Sequence, residues 1–158
     1  MERNLPGYEK NRSHYDDDDA VDRLRGYKTQ WGEMAVDGCW VGKDFLNEIS
    51  GQIDDFCIYW IRFWPWPAHK NPPLKIASYP KYPSKDEKEY KLGADLKIST
   101  PDLEFRTYIN EPSTQNFMDY LKYLDQNGLN VKDVFTKIII TKVKGKKGRH
   151  SYLMSFQR

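Results

Sequence analysis

The segment Phe56 to Trp64 (FCIYWIRFW) restricts the fold more than any other part of the sequence. It is filled with aromatic and β-branched side chains and is followed at once by Pro65 and Pro67, so it reads as a strand that ends at the first proline. Side chains alternate along a strand. That places Phe56, Ile58, Trp60, Arg62 and Trp64 on one face and Cys57, Tyr59, Ile61 and Phe63 on the other. Such a strand needs partners, and 158 residues are enough for one domain with a buried core. Only 39% of the residues are hydrophobic and 30% are charged, so that core must draw on the 15% that are aromatic.

Around this strand the pattern predicts further elements. Met34 to Trp40 is a short strand punctuated by Gly32, Gly38 and Gly42. Leu46, Ile49 and Ile53 follow Asp44 at three- and four-residue spacing, which suits a short helix, although Gly51 weakens it and an irregular segment fits equally well. Residues 65–73 (PWPAHKNPP) form a loop, and Leu74 to Tyr79 an extended piece. Tyr90 to Ile98 and Leu103 to Ile109 alternate as strands with one wet face each. Phe117, Tyr120, Leu121 and Leu124 form one stripe of a helix over Thr114 to Gln126, stopped by Asn127 and Gly128, with a short turn at Val131 to Phe135. Lys137 to Val143 and His150 to Gln157 then make a hairpin around KGKKGR.

Several strands, one main helix and a closing hairpin give a mostly β chain. The order matches a five-stranded Greek-key barrel of the oligonucleotide- and oligosaccharide-binding (OB) type, with its helix between the third and fourth strands. More than five candidate strands are present, so an open α+β sheet with the helix on one face is the other architecture, its surplus supplied by a hairpin from the Pro-rich middle. Residues 1–28, with Asp16 to Asp19, a polar composition and at most a helical turn at Ala20 to Leu24, read as a flexible acidic arm. Residues 29–158 read as a single β-rich domain.

Charge is unevenly distributed. Residues 136–158 carry seven basic residues and no acid, a segment charge of +7 within a chain of net +2, so the remainder is acidic. An Arg between two Trp on one strand face, Trp60, Arg62 and Trp64, suits bases stacking on indoles while the cation meets phosphate. Trp66, held between Pro65 and Pro67, extends that set, or caps the core. The turn cations Lys144, Lys146, Lys147 and Arg149 suit phosphate contacts. These features point to a non-catalytic protein that binds single-stranded DNA or RNA. A protein-interaction module is the alternative, such as a phage-encoded inhibitor of a host nucleic-acid enzyme, reaching its partner through the acidic arm and aromatic surface.

Other classes find less support. Cys39, Cys57 and three scattered histidines give neither a disulfide framework nor a zinc site, and no glycine-rich loop cradles a nucleotide, so no metal and no cofactor are expected. Asp95–Leu96–Lys97 has the acid-x-Lys spacing of metal-dependent nucleases, with Asp54, Asp55 or Asp102 as further carboxylates, a third reading. No apolar run approaches a membrane span, and the first residues lack a secretion signal's apolar stretch, which predicts a soluble, cytoplasmic protein with no membrane partner.

The segment FMDYLKYLDQNGLNVKDVFTKIIITKVKGKKGRHSYLMSFQR resembles the endings of small single-stranded-DNA-binding proteins of phage and other mobile elements. The pattern is an amphipathic helix, an Asn-Gly stop, a Val-x-Asp-Val-Phe segment and a glycine- and lysine-punctuated hairpin with an aromatic last strand. The resemblance implies an OB barrel working in replication, recombination or repair. It extends to Lys144, Lys146, Lys147, Arg149 and Tyr152 as binding residues.

Overall fold

The computed structural model describes residues 30–62, 74–79, 90–145 and 148–158. Nine strands form one sheet: β1 (Gln30–Ala35), β2 (Gly38–Val41), β3 (Asp44–Leu46), β4 (Glu48–Arg62), β5 (Leu74–Ser78), β6 (Lys91–Ser99), β7 (Glu104–Ile109), β8 (Thr136–Lys144) and β9 (His150–Gln157). A helix, α1 (Glu111–Gln126), and a 3-10 turn, Val131–Asp133, lie between β7 and β8. Neighbours run β3-β2-β1-β7-β6-β4-β8-β9, with β5 beside β4. Within this order, β7-β6-β4-β8-β9 with α1 between β7 and β8 is OB-like connectivity, and the sheet is open and strongly curled rather than a closed barrel. The strands beyond those five come mostly from the N-terminal meander β1 to β3, with β5 alone from the Pro-rich middle.

β4 organises the sheet. Its first residues, Glu48 to Gly51, pair with β8, and Gln52 to Ile61 pair with β6. The expected short helix over Leu46 to Ile53 is therefore a strand. Ile49, Gly51 and Ile53 are buried while Glu48 and Ser50 are exposed, a period of two that the helix-like three- and four-residue spacing of Leu46, Ile49 and Ile53 conceals. Gly51, which looks like a helix weakener, is a crossing point: a Cβ there would collide with the Ser99 carbonyl at the end of β6. Both faces of β4 are dry. Phe56 and Ile58 join the main core with Leu96, Ile98, Phe105, Phe117 and Leu121, and Cys57, Tyr59 and Ile61 form a second cluster against Tyr108.

The sheet's last edge, β9, is covered by the helix at Tyr152 and Met154. Asn110 caps α1, its side chain accepting from the Ser113 amide, and the far end closes with the amides of Gly128 and Leu129 returning to the carbonyls of Asp125 and Leu124. The helix starts at Glu111, ahead of the expected Thr114, because Pro112 in the first turn lacks only an amide the helix would not have used. Asn110, Ser113 and Asn116 then face β9 in one row. Asn110 Nδ2 donates to the Tyr152 carbonyl at 3.0 Å, Ser113 Oγ accepts from the Met154 amide at 2.9 Å, and Asn116 Nδ2 donates to the Met154 carbonyl at 3.1 Å. Helix side chains thus occupy the hydrogen-bonding positions that a further strand would fill, which protects an otherwise open edge.

Candidate nucleic-acid interface

The described part of the expected stacking strand turns its rings toward the core. Trp60 is half-buried, packs on the main core and lies beside Tyr79 with ring centroids 6.3 Å apart. Phe56 and Ile58, on the same face, are buried. Arg62 pairs through its backbone with Leu74. Trp64, Trp66, Lys146, Lys147 and the acidic arm lie outside the described residues. Tyr152 is half-buried in the helix seam, where its hydroxyl accepts from the Asn110 amide at 2.7 Å.

The basic hairpin presents its charges outward. β8 and β9 pair from Lys137↔Gln157 to Lys144↔His150, and the Gly145 amide closes the turn on the Arg149 carbonyl at 2.7 Å. Lys142, Lys144 and Arg149 are exposed, and none is in an ion pair with a described residue. By contrast Lys137 is paired with Glu48, and Lys97 with Glu104, each at 2.9 Å. β8 runs antiparallel to β4 with Ile139 opposite Glu48, so the turn projects past the start of β4. Trp60 stands toward the other end, roughly 40 Å along the strand at about 3.3 Å per residue. Strand pairing therefore separates the basic turn from Trp60.

A different aromatic pair lies closer to the basic hairpin. Val41 and Asp44 pair across the two-residue turn Gly42–Lys43, whose first position has φ 61, the left-handed region that glycine enters without strain. That turn sets Trp40 opposite Phe45, their rings 4.8 Å apart and tilted by 54°. Cys39 and Val41 point into the core, so Trp40 points out, and it and Phe45 are 46% and 38% exposed. β2 contacts β8, and exposed Lys43 sits in the turn itself. The sequence does contain the signal: a Trp and a Phe flanking a Gly-initiated two-residue turn, on the side away from Cys39 and Val41.

Three of the four carboxylates of the nuclease reading are engaged with neighbouring side chains, and the fourth, Asp102, is exposed. Asp95 is buried and accepts from the Tyr59 hydroxyl at 2.9 Å, while Asp54 accepts from Ser99 and Asp55 lies 3.9 Å from Lys132. Among the described residues no cluster of three His, Cys, Asp or Glu side chains is arranged to hold a metal ion, and no helix is long and apolar enough to cross a membrane. Burial, opposed by a hydrogen bond from Thr107, raises the Cys39 thiol pKa from 9.0 to about 11. Neither family models nor curated proteins nor solved structures match this chain.

Proposed function

We propose that the protein binds single-stranded nucleic acid without acting on it chemically, stacking bases on Trp40 and Phe45 and meeting phosphates with Lys142, Lys144 and Arg149. The observation that carries this reading is the set of exposed hairpin cations without carboxylate partners among the described residues, on a strand that contacts β2. An exposed ring pair accepts any base, and cations on a projecting hairpin reach a backbone without reading sequence. The OB-like connectivity supports the same reading. Lys146 and Lys147, in the same turn sequence, would add to the charge.

The test is the salt dependence of oligonucleotide binding, followed by fluorescence anisotropy. Replacing Lys142, Lys144 and Arg149 together by Ala should lower the slope of log affinity against log salt by about 2, at roughly 0.7 per phosphate contact on a single strand. An unchanged slope, or no binding of any labelled strand at low salt, would overturn the proposal. Failure to bind any strand would favour the second reading, a protein-interaction module, for which exposed Val36 in the β1–β2 turn and the exposed Trp40–Phe45 pair of β2 and β3 supply apolar contacts.

A further inference from the structure

The helix covers β9 for only part of its length. Asn110, Ser113 and Asn116 use the outward backbone groups of Tyr152 and Met154. Residues two apart on a strand direct their amide and carbonyl to the same edge, so the next outward pair belongs to Phe156. The helix position that follows in the row is Asp119, an exposed acceptor-only carboxylate, and no described residue hydrogen-bonds the Phe156 backbone. Here α1 and β9 part around a cleft of about 570 Å³ lined by Asn116, Asp119, Tyr120, Tyr123, Phe156 and Arg158, among others. Its rings lie nearly parallel: Tyr120 stacks on Phe156 at 6.0 Å and 20° and on Tyr123 at 6.5 Å and 18°. Tyr123 remains 48% exposed.

The free groups select the occupant. An added peptide strand needs a row of outward amides and carbonyls along a strand, and those of Tyr152 and Met154 are engaged by the helix, which leaves Phe156 as the last residue of β9 on that edge. A flat heterocycle needs a single acceptor-donor edge. We propose that this cleft binds a nucleobase bearing an exocyclic amine, adenine in the first instance. Its ring nitrogen accepts from the Phe156 amide and its amine donates to the Phe156 carbonyl. The second amine proton reaches Asp119, and the ring stacks against the exposed side of Tyr123. Arg158 supplies a cation for an attached phosphate. The site stands at the opposite end of the β8–β9 hairpin from the basic turn and does not depend on that turn binding nucleic acid.

Titration of the intact protein with AMP, followed by amide and aromatic NMR shifts, tests this directly. The Phe156 amide and the Tyr123 ring should shift saturably. N6,N6-dimethyl-AMP, which lacks the amine donor, and UMP, which has a carbonyl in its place, should bind more weakly. Tyr123→Ala, a surface change, should weaken AMP by about 5- to 150-fold. The Lys142, Lys144 and Arg149 triple variant should bind AMP as the wild type does, which separates this site from the proposed phosphate surface. Oligo(dA) moving Phe156 while AMP does not would assign the base to a strand, and AMP binding alone would assign a free nucleotide. If neither moves the Phe156 amide, or if dimethylation and Tyr123→Ala change nothing, the proposal fails.

Discussion

Ser113→Ala tests whether the helix substitutes for a strand at the β9 edge. Ser113 is fully buried, and its hydroxyl accepts the Met154 amide at 2.9 Å. Removing that oxygen leaves a buried N–H with no acceptor, which costs about 1–3 kcal/mol. The change acts against a small gain, since Ala exceeds Ser in helix propensity by up to about 0.5 kcal/mol, so the observed loss is the difference. With a urea m-value of about 1–3 kcal/mol/M for a domain of this size, the unfolding midpoint should fall by on the order of 1 M. Hydrogen exchange supplies the local readout: the Met154 amide should lose protection beyond the global change, whereas His150→Ala, at an exposed position on the same strand, should leave it unaltered. A midpoint within about 0.2 M of wild type together with a still-protected Met154 amide would refute the strand-substitute reading.

Trp40→Ala should cost oligonucleotide binding about 1–3 kcal/mol while the unfolding midpoint stays nearly constant, because the ring is half exposed; a large stability loss with unchanged intrinsic affinity would assign it to packing instead. Gly51→Ala, usually mild in a strand, should destabilise by about 1–3 kcal/mol in thermal unfolding because of the Ser99 carbonyl, and a neutral result would mean that the crossing relaxes freely. Cys39 has a raised thiol pKa, and Tyr59, Tyr108, Tyr120 and Tyr152 have phenols raised by burial above 10.0. The unfolded chain therefore deprotonates first, so the stability these groups contribute is complete below about pH 9 and declines as pH rises through 9 to 11. Urea midpoints measured across that window should fall steadily, and a flat profile would contradict the buried placement of these groups.

The sequence revealed those elements whose side-chain period matched their structure. The C-terminal hairpin and the helix stripe Phe117, Tyr120, Leu121 and Leu124 have unambiguous periods, and alternation also located β6 and β7, but their expected wet faces are dry at their centres: Asp95 and Arg106 are buried, on the side where Cys57, Tyr59 and Ile61 pack against Tyr108. Leu46 to Ile53 did not, because three apolar residues spaced for a helix also fall on a strand when the spacing straddles a junction at Asn47. The aromatic richness of FCIYWIRFW marked a strand correctly but could not tell a binding face from a core face: a strand buried on both sides and one offering a platform share the same composition. Lys144 and Arg149 were legible as exposed because a glycine-punctuated hairpin tip has nothing to pack against. Trp40 and Phe45 carry a pattern, sharing a face opposite Cys39 and Val41 across a Gly-initiated turn, but which of the two faces is the outward one is decided by tertiary packing alone.

One strand contact attaches the N-terminal meander to the OB-like sheet. β1 joins the sheet by parallel pairing with β7, Gln30 lying opposite Phe105 and Trp31 opposite Arg106. Every other paired strand runs antiparallel, and β2 and β3 are attached to the main sheet by backbone pairing only through β1. β3 leads into β4 across Asn47 alone, whose carbonyl accepts from the Ile140 amide of β8, and Cys39 and Val41 of β2 are buried in the main core. The meander is thus held by the β1–β7 pairing, by its join to β4 and by the side chains of β2. Trp40 and Phe45 alternate with those core residues, so the surface they present is set by the same packing that holds the OB-like strands together.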